Sequence, residues 1–134
     1  MKQGIQTNFP HEVLRRWGCY FFCLAEWASR LREKDFTNEE LIALFDKGRE
    51  EEVLTKNCLV LNPVQLLNIM LGEQKAQSVR IVKAPPARDT YVVYLEKPGF
   101  GHFLLSNSQT IWDPLDPNRP AAKGYIPVSY REIW

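Results

Sequence analysis

Apolar residues recur at helical spacing through the first half of the chain. A weak helical pattern covers 11–16, and a strong one covers 19–32, where apolar side chains three and four positions apart predict a helix with a buried face. A second strong helix is predicted from the capping-box pair Thr37 and Glu40, because each can bind the other's backbone N–H. Gly48 is expected to end or loosen that helix.

The segment before residue 63 predicts a short connector or strand, followed by a third strong helix. Asn62 is a suitable N-cap, and Pro63 fits the first helical position because its missing N–H is not needed there. Gly72 is expected to close this helix, since glycine readily adopts the left-handed conformation found after helix ends.

After residue 73 the pattern changes to alternation and to β-branched and aromatic residues. These features predict strands separated by proline and glycine turns. The predicted strands are 78–84, 90–97, 102–106 and 110–117, with one more over 124–134. We therefore expect an α+β fold, in which N-terminal helices pack on one face of a C-terminal antiparallel sheet arranged as a meander.

Composition predicts one globular domain, 1–134, with a mainly helical part (1–72) and a mainly β part (73–134). The chain has 134 residues, 45% of them hydrophobic and 25% charged, with a net charge of +1. This balance gives no indication of nucleic-acid binding. No apolar run approaches the roughly 18 residues of a membrane span, and no apolar stretch suggests a signal peptide. Three cysteines then favour reduced thiols in the cytoplasm.

Three residues are candidates for chemistry: Cys19, His102 and Asp113. Cys19 follows Gly18 at a predicted helix start, where free amides stabilise a thiolate and can bind an oxyanion. His102 follows a glycine-rich turn, and Asp113 lies on the next predicted strand, where it can orient an imidazole. Each also has a structural interpretation, as a core cysteine, a structural histidine or a turn-forming aspartate.

Three short motifs appear in the order typical of a known superfamily. They are "GCYFFCLAEWA" (18–28), "GHFLLSN" (101–107) and "IWDPLDP" (111–117). The chain resembles papain-like cysteine peptidases, especially the small bacterial branch that includes the double-glycine leader peptidases. It is also loosely similar to a phage-associated bacterial family of unknown function. The resemblance implies a papain-like fold, with Cys19 as nucleophile, His102 as general base, Asp113 as orienting residue and Cys23 in the core.

The chain departs from that superfamily at the oxyanion donor. The peptidases usually carry a glutamine about six residues before the nucleophile, and Val13 occupies that position here. Gln6 and Tyr20 are the candidate oxyanion residues, with Arg15 or Arg16 as alternatives for the missing glutamine. Gln6 and Gln3 could reach the site only if the N-terminal segment folds over it. Loss of one such donor typically costs about 10²–10³ in rate.

These observations predict a cysteine peptidase or amidohydrolase that transfers an acyl group from a peptide or amide to water. Its partner would be a peptide or protein substrate, with no cofactor, metal, nucleic acid or membrane involved. An alternative is an inactive papain-like binding protein, such as a phage protein acting on a host factor. In that case the C-terminal aromatics Tyr125, Tyr130 and Trp134 would anchor the partner.

A zinc site is a further alternative. Cys19, Cys23 and His102, with His11 or Cys58, would supply enough ligands. The four-residue spacing of the first two cysteines inside a helix is unlike the usual structural zinc patterns.

Overall fold

Helices come first along the chain, and strands follow. The structure is a computed structural model, and it describes residues 1–107, 110–118 and 122–134. The helices are α1 (Glu12–Trp17), α2 (Cys19–Arg32), α3 (Asn38–Glu50) and α4 (Pro63–Leu71). The strands are β1 (Val79–Val82), β2 (Thr90–Lys97), β3 (Phe100–Asn107), β4 (Ile111–Trp112) and β5 (Ile126–Ile133). Within the described ranges, no helix has the length and apolar character needed to cross a membrane.

Local capping chemistry sets the helix boundaries. The predicted capping box is confirmed: Glu40 N donates to Thr37 Oγ1 (3.1 Å), and Thr37 N donates to Glu40 Oε1 (2.9 Å). The prediction that Gly48 ends or loosens α3 is wrong. Gly48 is buried against Leu54, and the helix continues to Glu50, because the missing side chain allows close packing there rather than a turn.

The third predicted strong helix is also confirmed. Asn62 caps α4 by accepting from Gln65 N (3.0 Å), and Gly72 closes it with φ +74°. The segment before α4 is mainly a connector, with one isolated bridge between Leu54 and Val60.

The sheet is antiparallel, and its strand order is β1-β5-β2-β3-β4. The α+β class with helices before the sheet is therefore confirmed. The expected meander is wrong, because β5 lies between β1 and β2: Arg131 pairs with Ile81 on one side and with Val92 on the other. The strand predicted over 110–117 is reduced to β4, because a turn begins at Asp113 and Pro114.

Helix α2 occupies the centre of the molecule, in contact with β3 on one side and α4 on the other. Its Phe22 and Leu24 are fully buried, as are Leu66 of α4 and Leu105 of β3. Burying a side chain of this size stabilises a fold by about 1.5–3 kcal/mol. The same packing fixes the N-terminus of α2 against the strand that carries His102.

The N-terminal segment, residues 1–9, folds back onto the chain after β4. It forms turns along the chain that follows β4: Gly4 N donates to Asp113 O (2.9 Å), and Gln6 N donates to Pro114 O (2.8 Å). Gly4 adopts φ +77°, which favours glycine, and Gln6 and Phe9 are buried. The segment therefore supports the backbone on both sides of Asp113.

Candidate active site

The junction between α1 and α2 places Cys19 at a helix start. Gly18 N donates to Leu14 O (2.9 Å), and a Cβ at Gly18 would lie only 2.4 Å from that carbonyl oxygen. Only glycine therefore allows α2 to begin so close to α1. Phe22 N makes the first α2 bond, to Gly18 O, and no side chain caps this end within the described ranges. The amides of Cys19 and Tyr20 thus belong to the uncapped first turn.

His102 and Asp113 come together across the β3–β4 hairpin, as the sequence predicts. The His102 Nε2 and Asp113 Oδ1 atoms are 2.7 Å apart, and both residues are buried. Asp113 Oδ1 also accepts from Leu115 N (2.9 Å), so the aspartate forms a turn and binds the ring at once. Gln3 adds a further contact from the N-terminal segment, since its Oε1 accepts from Asp113 N (3.2 Å).

The Cys19 thiol lies near enough to the His102 ring to affect the pKa of the imidazole. Because Nε2 faces Asp113, Nδ1 is the ring nitrogen left for Cys19. Burial lowers the pKa of His102, but the hydrogen bond with Asp113 and the nearby Cys19 thiol raise it, as do their charges. The resulting pKa is about 9, above the ordinary 6.5. The imidazolium form is therefore favoured at neutral pH.

The three thiols differ in exposure. Cys19 is half-buried, whereas Cys23 and Cys58 are buried and all three are unpaired. Burial raises the pKa of Cys23 well above its ordinary value and that of Cys58 to about 12. Cys23 thus has the core position expected of it, and Cys19 is the accessible thiol of the three.

The oxyanion candidates have different positions. Gln6 Nε2 donates to Arg15 O (3.1 Å), and its Oε1 accepts no bond from the described residues, so this contact supports a structural role for Gln6. Arg15 Nη1 donates to Phe9 O (3.1 Å), and Arg16 pairs with Glu12 on exposed α1. These contacts correct the expectation that one of these side chains replaces the usual glutamine.

Tyr20 contributes differently through its side chain and its backbone. The side chain stacks on Phe103 with ring centroids 4.4 Å apart, and burial raises its pKa to about 12. Its backbone amide, next to that of Cys19, belongs to the uncapped first turn of α2. The main-chain amides of Cys19 and Tyr20 are therefore further candidates for the oxyanion donors.

The Cys19 thiol lies in the wall of an open groove of about 730 Å³, which we call the Cys19 groove. Helix α2, the connector before α4, and strands β1, β3 and β5 enclose it. Its lining residues are Trp17, Cys19, Tyr20, Asn57, Cys58, Leu59, Val60, Leu61, Pro63, Val79, Ile81, Phe103 and Arg131. Most of this surface is apolar, and it leaves room for a chain segment beside the thiol.

A family model described as "Protein of unknown function, DUF261" matches residues 1–131. The chain belongs to the DUF261 family. No curated protein and no solved structure matches it significantly. Cys19, His102 and Asp113 all lie within the matched residues of this DUF261 protein.

Sequence reasoning missed one contributor to the DUF261 site and gave another a different role. Arg131 reaches the groove only because β5 inserts beside β2, and no local pattern indicates that insertion. Gln3 was expected to reach the site only as an oxyanion donor, if the N-terminal segment folds over it. The segment does fold back, and Gln3 Oε1 accepts from Asp113 N.

The remaining sequence candidates have other surroundings in this DUF261 protein. The ring centroids of Tyr125 and His102 are 5.6 Å apart, and the Tyr130 ring packs edge-on against Tyr91. Trp134 is exposed, with Arg88 over its ring. Across 1–107, 110–118 and 122–134, no three histidine, cysteine, aspartate or glutamate side chains are grouped to hold a metal ion.

Proposed function

We propose that this DUF261 protein is a papain-like cysteine peptidase or amidase of the cytoplasm that acts on a peptide or protein substrate. One observation carries the proposal. The imidazole of His102 is bonded at Nε2 to Asp113 and lies near a Cys19 thiol that borders an open groove. A nucleophile, a base and a group that orients the base are the parts that acyl transfer requires.

In the reactive state the proton of the Cys19 thiol resides on His102, which leaves a thiolate beside the imidazolium. The thiolate attacks the carbonyl carbon of the substrate amide and gives a tetrahedral oxyanion. His102 then returns the proton to the leaving nitrogen as the C–N bond breaks, leaving a thioester on Cys19. Water attacks the thioester with His102 as base, which releases the acid and restores the thiol.

Asp113 supports these steps by fixing the ring and stabilising its charged form. Leu115 N donates to the Asp113 carboxylate, and Gln3 Oε1 accepts from the Asp113 backbone N–H, so both contacts hold Asp113 in place. The Cys19 and Tyr20 amides at the uncapped start of α2 are the proposed oxyanion donors. Val13 and Gln6 need no part in this arrangement.

Acylation by p-nitrophenyl acetate tests the proposal. We expect a burst of p-nitrophenol together with an acetyl group located on Cys19 by mass spectrometry. His102→Ala should abolish the burst, whereas His11→Ala, which removes the other histidine of the chain, should retain it. Acetylation that is no faster at Cys19 than at buried Cys58 would overturn the proposal.

A binding protein on the same scaffold is the second candidate. Trp17, Leu59 and Ile81 around the Cys19 groove are each about 60% exposed (58%, 64% and 62%), which is typical of a docking surface. Iodoacetamide near neutral pH separates the two functions. Rapid alkylation of Cys19 that His102→Ala abolishes supports the enzyme, whereas equally slow alkylation of all three thiols supports the binding protein.

A further inference from the structure

Arg131 is the charged residue among the described lining residues of the Cys19 groove. It lies on β5, where its backbone pairs with Ile81 of β1 and Val92 of β2. The rest of the lining is apolar, aromatic, thiol or neutral amide. A positive charge in such a wall is costly to desolvate unless it has a function or a partner.

The contacts of Arg131 hold it without neutralising it. Its guanidinium carbon lies 5.1 Å from the ring centres of both Tyr94 and Phe103, and Nη1 donates to Ser129 Oγ at 2.6 Å.

No described carboxylate forms an ion pair with Arg131. By contrast, Arg30 pairs with Glu26, and Arg80 and Arg88 both pair with Glu132. Arg131 is thus a guanidinium held against two aromatic rings, in the groove that Cys19 also lines, and without a counterion among the described residues.

We infer that the substrate of the proposed peptidase carries a carboxylate that binds Arg131, next to an apolar residue that fills the Cys19 groove. The planar guanidinium presents paired N–H donors that match a carboxylate, and low local polarity strengthens such a bond. The inference rests on the proposed function, because it places this carboxylate within one short segment of the amide attacked by Cys19. Its source is either an acidic side chain or a free C-terminus.

Matched affinity labels measure this contact. Iodoacetyl-leucyl-glutamate amide and iodoacetyl-leucyl-glutamine amide differ in one carboxylate, and each alkylates Cys19 as the thiolate displaces iodide to form a thioether. We expect the acidic label to react about tenfold faster, the scale of one charge-assisted bond. A third label, iodoacetyl-leucyl-glutamine with a free C-terminus, shows which carboxylate source the groove prefers.

Variants then assign the preference to Arg131. In Arg131→Gln the rate ratio of acidic to neutral label should fall to about one, and in Arg131→Lys it should be intermediate because the forked geometry is lost. Arg49→Gln removes an exposed positive charge that lies over Phe45, and it should leave the ratio unchanged. Each ratio compares two labels on one protein, so a general loss of stability does not imitate the effect.

The outcomes separate this inference from the proposed function. Fast alkylation of Cys19 with the same ratio in wild type and Arg131→Gln overturns the carboxylate contact and leaves the peptidase proposal standing. If Cys19 alkylates no faster than Cys58, the peptidase proposal fails. The acetyl analogues of the labels, titrated into Cys19→Ala and followed by tryptophan fluorescence, then decide the carboxylate contact by the same ratio.

Discussion

Because His102 and Asp113 form an ion pair, we expect His102 to stay protonated above neutral pH. The perturbation is Asp113→Asn, which removes the charge but keeps an oxygen that can accept from Leu115 N. The pKa of His102 rises from 6.5 to about 9 in the folded protein. One pKa unit corresponds to about 1.4 kcal/mol, so the higher pKa of His102 corresponds to about 3 kcal/mol of folding free energy.

The sign of the pH dependence follows from the direction of this rise. The folded pKa is higher than the unfolded one, so the stabilisation is fully present below pH 6.5 and is lost as the pH rises through about 9. The difference in unfolding free energy between wild type and Asp113→Asn should therefore be largest near pH 6. It should shrink toward pH 10, by at most about 3 kcal/mol.

Proton NMR measures the pKa directly, because the chain contains only two histidines. His11→Gln assigns the two ring signals, and the His102 signal should titrate near pH 9 in wild type. In Asp113→Asn its midpoint should fall markedly, since burial then opposes the charge with less compensation. Asp116→Asn, at an exposed position in the same turn region, should not move it. A wild-type midpoint at 6.5, or one unchanged in Asp113→Asn, would refute the reasoning.

Three further predictions concern the support of the site. Gly18→Ala should destabilise the fold by about 1–3 kcal/mol in urea unfolding and slow alkylation of Cys19, because the new Cβ meets a backbone oxygen. Gly48→Ala should leave the alkylation rate unchanged, because its Cβ meets the Leu54 side chain and not the α1–α2 junction. An equal loss of alkylation in both variants would contradict the steric argument. Thr37→Ala should cost about 1 kcal/mol through loss of the capping box, with the alkylation rate at Cys19 unchanged. Cys23→Ala should likewise leave that rate unchanged, and a large loss would assign Cys23 more than a packing role.

The parts of the fold that were predictable depend on near neighbours in sequence. The capping box of α3 involves residues three apart, so its pattern is visible before any tertiary contact forms. The approach of His102 to Asp113 is nearly as local, since one hairpin joins their strands. The position of Cys19 at a helix start was predictable for the same reason, because a glycine before an apolar helical pattern indicates where a helix begins.

The missed features depend on distant partners. Alternation identifies β5 as a strand but does not say that it lies between β1 and β2, so Arg131 could not be placed in the groove. Gly48 lies inside α3 because Leu54 and Leu66 pack over it, and those contacts override its low helix propensity. The N-terminal segment is polar in composition, yet its backbone bonds to the turn after β4 bury Gln6.

The interior position of β5 also determines how the protein must fold. Val79 pairs with Ile133 and Val92 with Arg131, so β1 and β2 can join one sheet only after β5 has been synthesised. Until then β2 has an open edge, which is the kind of surface that promotes aggregation of nascent chains. Long-range pairing of this kind slows folding, so assembly of the Cys19 groove is delayed until β5 is available.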